Sequence, residues 1–132
     1  MIRLRGIPFV DSADIGFWVA GDTACSLDQV KSNLQQYTNI KYYKGIFPQD
    51  TANQIEDCKF ALVNIDVDIQ QSISDCLEYF YPRLVKDGYI LIHDYDVEPV
   101  RAVVDKFIVD RFMADDDIHC NLVSTQFVIK KR

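Results

Sequence analysis

The sequence predicts an α/β fold built around parallel strands. Two short and almost continuously apolar segments, residues 60–66 and 89–93, have the composition of strands that are covered on both faces. The pattern between them is that of a long amphipathic helix, and strand–helix–strand units of this kind are nearly always right-handed with parallel strands. A chain of 132 residues is long enough for one such domain and too short for two of ordinary size. We therefore predict a single domain over residues 1–132.

The first half of the chain contains three further predicted elements. Residues 15–20 have the composition of a strand, although glycines nearby weaken that pattern. A helix is predicted over residues 26–37, because Ser26 can cap it and its apolar side chains recur at helical spacing. Residues 40–44 are rich in aromatic and β-branched side chains and stop at a glycine, which predicts a short strand parallel to the two apolar ones.

The second half alternates helices and strands more clearly. A helix is predicted over residues 69–84, with Asp68 as its cap, followed by a turn at Asp87 and Gly88. Pro99 suits the first turn of a third helix over residues 99–113. Two late strands, 118–123 and 126–129, are separated by so few residues that they should form an antiparallel hairpin. The strand at 60–66 should be central in the sheet.

Composition excludes several classes of protein. A net charge of −6 and an isoelectric point near 4.7 argue against nucleic acid as a partner, since affinity for phosphate backbones depends on clustered Lys and Arg. The apolar runs are too short to span a membrane, and Gly6, Pro8 and Asp11 interrupt any signal-peptide core. Four cysteines without a C-x-x-C pair are typical of reduced thiols. We expect a cytoplasmic protein.

Acidic side chains follow both apolar strands. Asp66 ends the first, and His93 and Asp94 end the second. Ligands of parallel α/β sheets bind at the carboxyl ends of the strands, where these side chains should converge. Mg²⁺ prefers oxygen ligands from one or two carboxylates, so Asp66 and Asp94 are predicted to bind it, with His93 as a possible third ligand. The alternative is that these carboxylates are ordinary solvated loop residues.

Three segments resemble one known family. They are KGIFPQDT at residues 44–51, ALVNIDVDIQQSISDCLEYFYPRL at 61–84 and GYILIHDY at 88–95. In this succession the chain resembles the macrocin O-methyltransferases over about residues 26–107. The resemblance implies a three-layer, Rossmann-like class I methyltransferase fold, S-adenosylmethionine as methyl donor, and Mg²⁺ that orients a hydroxyl of a sugar or polyketide. It also implies Asp66 and Asp94 as metal ligands, with His93 where some members have Asp.

The family's first strand and its glycine-rich turn have no counterpart upstream of residue 26. We therefore expect an N-terminally truncated methyltransferase fold, and the resemblance identifies neither cofactor-binding residues nor a catalytic base in this sequence. Such a chain could be inactive by itself. The alternative function is a non-enzymatic binding or assembly module, which would form a homo-oligomer through a sheet edge left open. A receiver domain fits poorly, because its acidic pair and lysine are not placed here.

Overall fold

The computed structural model describes residues 25–113 and 118–132, so the strand predicted at 15–20 lies outside the described residues. The described part alternates helices and strands, as the sequence predicts. Its elements are α1 (Leu27–Asn33), β1 (Phe60–Ile65), α2 (Gln70–Phe80), β2 (Leu84–Ile92), α3 (Glu98–Met113), β3 (Ile118–Val123) and β4 (Gln126–Lys131). Short 3₁₀ turns occur at Ala52–Ile55 and Tyr81–Arg83. No helix within these described ranges is long and apolar enough to cross a membrane.

The four described strands form one mixed sheet in the order β1-β2-β4-β3. β1 and β2 are parallel, and β3 and β4 form the antiparallel hairpin, so both predicted pairings are confirmed. β4 inserts antiparallel beside β2. Among the described strands β1 lies at the edge of the sheet, so its predicted central position is not seen within this part of the chain. Continuous apolar character indicated burial on both faces, but Leu62 of β1 is 62% exposed.

The core lies between the sheet and the two long helices. α2 and α3 pack against each other and bury their apolar stripes together with alternate residues of β2 and β4. The core residues with at most 1% exposure are Ile73, Cys76, Leu77, Ile90, Ile92, Val100, Val104 and Ile129. The intervening residues of the strands include Leu62 and Tyr89, which are exposed on the opposite face. The described residues therefore place both long helices on one face of the sheet.

The predicted strand at residues 40–44 is not formed. This segment has irregular backbone, and it is attached to the molecule by side chains instead. Tyr43 packs against the core, and Phe47 stacks on Phe80 and meets Tyr79 edge-on, with ring centroids 5.1 and 5.0 Å apart. The aromatic side chain of Tyr43 therefore packs against the core, and the segment does not pair with a strand.

Both early helices are shorter than predicted. α1 has the expected cap, since the Ser26 hydroxyl accepts from the Gln29 N–H at 3.1 Å, but the helix ends at Asn33 and buries no residue completely. α2 ends at Phe80 because Pro82, which lacks an N–H, lies in the following 3₁₀ turn. β2 consequently starts at Leu84, five residues before its predicted beginning.

Asp87 and Gly88 lie inside β2 and not in a turn before it. The pairing with β1 jumps from Phe60–Leu84 to Leu62–Tyr89, so the extra residues bulge out of the ladder. A Cβ at Gly88 would lie 2.9 Å from the Val85 carbonyl oxygen and 3.2 Å from that of Phe60. Glycine is therefore required there by the close approach of the neighbouring backbone.

Candidate metal centre

The ends of β1 and β2 place three potential ligands side by side. Asp66 directly follows β1, and His93 and Asp94 directly follow β2. The two strands are in register at Ile65 and Ile92, and the His93 N–H donates to the Ile65 carbonyl oxygen at 2.9 Å. One ligand atom from each of the three side chains lies within 4.8 Å of the other two. The described residues therefore contain the convergence that the sequence predicts.

The closest contact in this group joins the two neighbours on β2. His93 Nδ1 lies 2.8 Å from Asp94 Oδ1, and the side chains are 40% and 28% exposed. Nδ1 is buried, and this distance is short enough for a protonated Nδ1 to donate a hydrogen bond to the Asp94 carboxylate. The hydrogen bond to Asp94 raises the pKa of His93, whereas burial lowers it. The negative charges of Asp94, Asp66 and Asp68 raise this pKa further. The site thus favours positive charge.

Asp94 lies in a strained turn. Its φ of 55° is in the left-handed region, which costs a non-glycine residue about 1–2 kcal/mol, although Asp and Asn tolerate it best. The Asp94 carbonyl oxygen accepts from the Val97 N–H at 2.9 Å, and the next residue, Tyr95, donates its N–H to the Thr125 carbonyl oxygen at 2.9 Å. Strained backbone concentrates at functional sites. Here it lies at Asp94, one of the three grouped residues Asp66, His93 and Asp94, which we call the ligand group.

The N-cap position of α2 is occupied by Ile69 and not by Asp68, so that prediction is wrong. The N-cap residue is Ile69, whose backbone is extended and whose side chain has no capping atom. Asp68 has a φ of 65°, which turns the chain one residue before the helix begins. The predicted cap therefore lies one residue before the N-cap position. Its charge acts on His93, but it is not one of the three grouped residues.

A cavity of about 690 Å³ runs along β1 and reaches the ligand group. Asp66 and His93 line it together with apolar residues such as Leu62 and Val63, and with the polar side chains of Asn64 and Gln126. Sequence reasoning missed the last two. Asn64 had a local signal, since it interrupts an otherwise apolar strand. Gln126 had none, because it reaches the cavity only through the pairing of β4 with β2.

The comparisons with known proteins identify the family. The sequence profile described as Macrocin-O-methyltransferase (TylF) matches residues 11–127. The chain belongs to the macrocin O-methyltransferase family. The match starts upstream of the residues that carry the resemblance in the sequence, and it extends to the hairpin.

Two curated relatives are O-methyltransferases. The 8-demethyl-8-(2,3-dimethoxy-alpha-L-rhamnosyl)-tetracenomycin-C 4'-O-methyltransferase of Streptomyces olivaceus is 31% identical over 88 residues, which are 64% of this chain and 33% of that protein. The demethyldecarbamoylnovobiocin O-methyltransferase of Streptomyces niveus is 26% identical over 98 residues, 70% of this chain and 37% of that protein. The chain thus matches only about a third of the length of these relatives.

A solved structure has the same fold. The structure of the O-methyltransferase NovP superposes with a TM-score of 0.66 at 24% identity, over 81% of this chain and 45% of that chain. This likeness confirms the predicted Rossmann-like methyltransferase fold class. The macrocin O-methyltransferase family and its fold are therefore established for this chain independently of the ligand group.

Proposed function

We propose that this chain is the metal-binding part of an S-adenosylmethionine-dependent O-methyltransferase that acts on a hydroxyl of a sugar or natural-product-type small molecule. Family membership supports the reaction class, and the names of two relatives support the substrate class. The observation that carries the proposal is the convergence of Asp66, His93 and Asp94 beside a cavity.

The three side chains fit a divalent cation. Two carboxylates and one imidazole supply three ligand atoms, which leaves other coordination positions for water and a substrate oxygen. One potential ligand atom from each of Asp66, His93 and Asp94 lies within 4.8 Å of the other two, which is close enough for the three to share one cation. Carboxylates suit Mg²⁺ and Mn²⁺, whereas imidazole suits Zn²⁺ and iron better. Mg²⁺ is the cation that the family resemblance implies.

A cation bound here would lower the pKa of a coordinated hydroxyl and fix its orientation for methyl transfer. Asp66 and Asp94 would hold it from two strands, which keeps the distance between their carboxylates nearly constant. His93 must bind as the neutral imidazole, so its proton has to leave first. The apolar residues of the cavity would contact the body of the acceptor, and Asn64 and Gln126 would hydrogen-bond its polar groups.

The methyl donor would depend on further residues. Among the described residues the glycines are Gly45 and Gly88, and neither lies in a turn that leads from a strand into a helix. Such turns allow close approach of the backbone to a bound nucleotide-like ligand. Because the chain matches only about a third of the length of the curated relatives, we propose that it binds S-adenosylmethionine weakly and transfers no methyl group by itself.

Calorimetric titration of the whole chain with Mg²⁺ and with Mn²⁺ tests the metal centre. Wild-type protein should bind, and saturating metal should raise the melting temperature, as a ligand at 100 times its Kd adds about 2.7 kcal/mol. Asp66→Asn and Asp94→Asn should each abolish that increase. Asp96→Asn, which removes an exposed carboxylate outside the ligand group, is the matched control and should keep it. An unchanged response in both ligand variants would refute the metal centre.

Titration with S-adenosylmethionine, with and without metal, tests the enzymatic part separately. Weak binding without turnover agrees with the proposal. Robust methylation of a sugar hydroxyl by this chain would show that it needs no further residues.

A non-enzymatic assembly module is the second candidate. In the described part of the chain, β1 has a strand neighbour on one side only, and Leu62 and Tyr89 are exposed on the uncovered sheet face. Edge strands of this kind pair readily with other chains, and a homo-oligomer would cover both features. Self-association that is identical in wild type and Asp66→Asn, with no metal binding in either, would favour this candidate.

A further inference from the structure

Tyr95 makes contacts in three directions from the turn that carries Asp94. Its hydroxyl donates to Asp105 Oδ1 on α3 at 2.6 Å. Its ring lies against that of Phe127 on β4, with centroids 4.6 Å apart and planes inclined by 30°. Its N–H donates to the Thr125 carbonyl oxygen at 2.9 Å. One side chain and its backbone thus join the turn to a helix and to the hairpin.

We propose that Tyr95 is a positioning residue that holds the Asp94 carboxylate toward Asp66, an inference that rests on the proposed metal centre. The left-handed backbone of Asp94 persists only if its surroundings compensate for the strain. The hydrogen bond from the Val97 N–H to the Asp94 carbonyl oxygen lies within the turn. The contacts of Tyr95, in contrast, connect the turn to α3 and to the hairpin. Without the Tyr95 side chain, the turn would lose its contacts with Asp105 and Phe127 and would keep backbone bonds such as those from Tyr95 to Thr125 and from His93 to Ile65.

The hydroxyl of Tyr95 suits this role chemically. A phenol hydroxyl is protonated at neutral pH, so Tyr95 is the donor and the Asp105 carboxylate the acceptor of this bond. A short bond from a hydroxyl to a carboxylate is stronger than one between neutral groups. Asp105 is exposed, so loss of this bond should disturb the core little. A shift of Asp94 would nevertheless separate the ligand atoms and weaken metal binding.

Metal affinity and stability, measured on the same variants of the whole chain, distinguish positioning from a merely structural role. Tyr95→Phe removes only the hydroxyl and keeps the ring on Phe127. Asp105→Ala removes the acceptor from the other side. Each should weaken Mn²⁺ binding in calorimetry by about tenfold, as loss of an outer-shell partner does, and the double variant should lose no more than either alone.

The matched control is Asp110→Ala, which breaks another exposed bond on α3, that from Lys106 Nζ at 2.9 Å. It should leave Mn²⁺ affinity unchanged, and all three variants should melt without metal at temperatures close to the wild type. If wild type binds metal and both Tyr95→Phe and Asp105→Ala bind it equally tightly, the positioning role is wrong and the metal centre stands. If wild type binds neither Mn²⁺ nor Mg²⁺, the metal centre is wrong and the role of Tyr95 toward it falls too.

Discussion

His93 shares the candidate metal centre with two carboxylates, and its identity should decide which cation the site prefers. An imidazole favours Zn²⁺ over Mg²⁺, whereas a third carboxylate would favour Mg²⁺. We predict that His93→Asp shifts the ratio of the Zn²⁺ and Mg²⁺ dissociation constants toward Mg²⁺, by on the order of tenfold. Calorimetric titration of both variants with each cation measures the ratio.

His119 provides the control for that substitution. It is an exposed residue of β3 and is not one of the grouped ligands, so His119→Asp makes the same chemical change elsewhere in the described sheet. The ratio should not move in this variant. An equal shift in both would mean that general charge, and not coordination, sets the preference.

At the scale of elements, the bulge in β2 is tied to β4 by an ion pair. Asp87 Oδ1 lies 2.7 Å from Lys130 Nζ, and this contact lowers the pKa of Asp87 and raises that of Lys130. The contribution to stability is therefore present above the ordinary pKa of Asp, near 3.9, and disappears as the pH falls through the lowered value. On the Lys side it disappears as the pH rises through the raised pKa of Lys130.

We predict that Asp87→Asn is slightly less stable than wild type at pH 7 and that the difference shrinks at pH 3. The effect is small because the pair is on the surface. Urea denaturation at both pH values measures it. Asp57→Asn removes an exposed carboxylate outside the strands. Its difference in stability from wild type should be the same at pH 7 and at pH 3. A larger difference at pH 3 than at pH 7 would contradict the sign derived for this pair.

The helical layer depends on α2, whose Leu77 is fully buried. Leu77→Ala removes buried methyl groups and leaves a cavity, so it should lower the free energy of unfolding by about 2–5 kcal/mol. Val109→Ala, at a position of α3 that is 58% exposed, should change it by less than about 0.5 kcal/mol. Denaturant unfolding of both variants measures the values. Equal losses would mean that the core does not lie between α2 and the sheet.

At the scale of the whole molecule, we predict self-association through β1, which has one strand neighbour among the described residues. β1 carries no charged side chain that would discourage pairing, and Leu62 is exposed on it. Leu62→Lys should therefore shift the chain toward monomer in sedimentation velocity. Leu122→Lys makes the same change on β3, at the other edge of the described sheet, and should leave association intact. The reverse result would place the contact at β3.

Sequence alone determined the elements of the core and the approximate place of the candidate site. The apolar periodicity of α2 and α3, and the apolar runs of β1 and β2, are local properties that the structure keeps. Parallel strands joined by a helix bring their carboxyl ends to one edge, so the meeting of Asp66 and Asp94 follows from topology. The ends of the elements were less well determined. The helix α2 ends at Phe80, before Pro82, and its N-cap is Ile69 and not Asp68.

Only the tertiary structure decided which surfaces meet. Whether an apolar strand is central or at an edge depends on neighbours far away in sequence, and a pattern of apolar residues is the same in both cases. The aromatic residues 42–43 favoured a strand in the sequence, but this segment forms none. Phe47, a few residues later, packs on α2 instead. The contacts of Tyr95 with Asp105 and Phe127, and the approach of Gln126 to the cavity, join elements that are distant along the chain. Local pattern encodes which face of an element is buried, whereas long-range packing selects the partner.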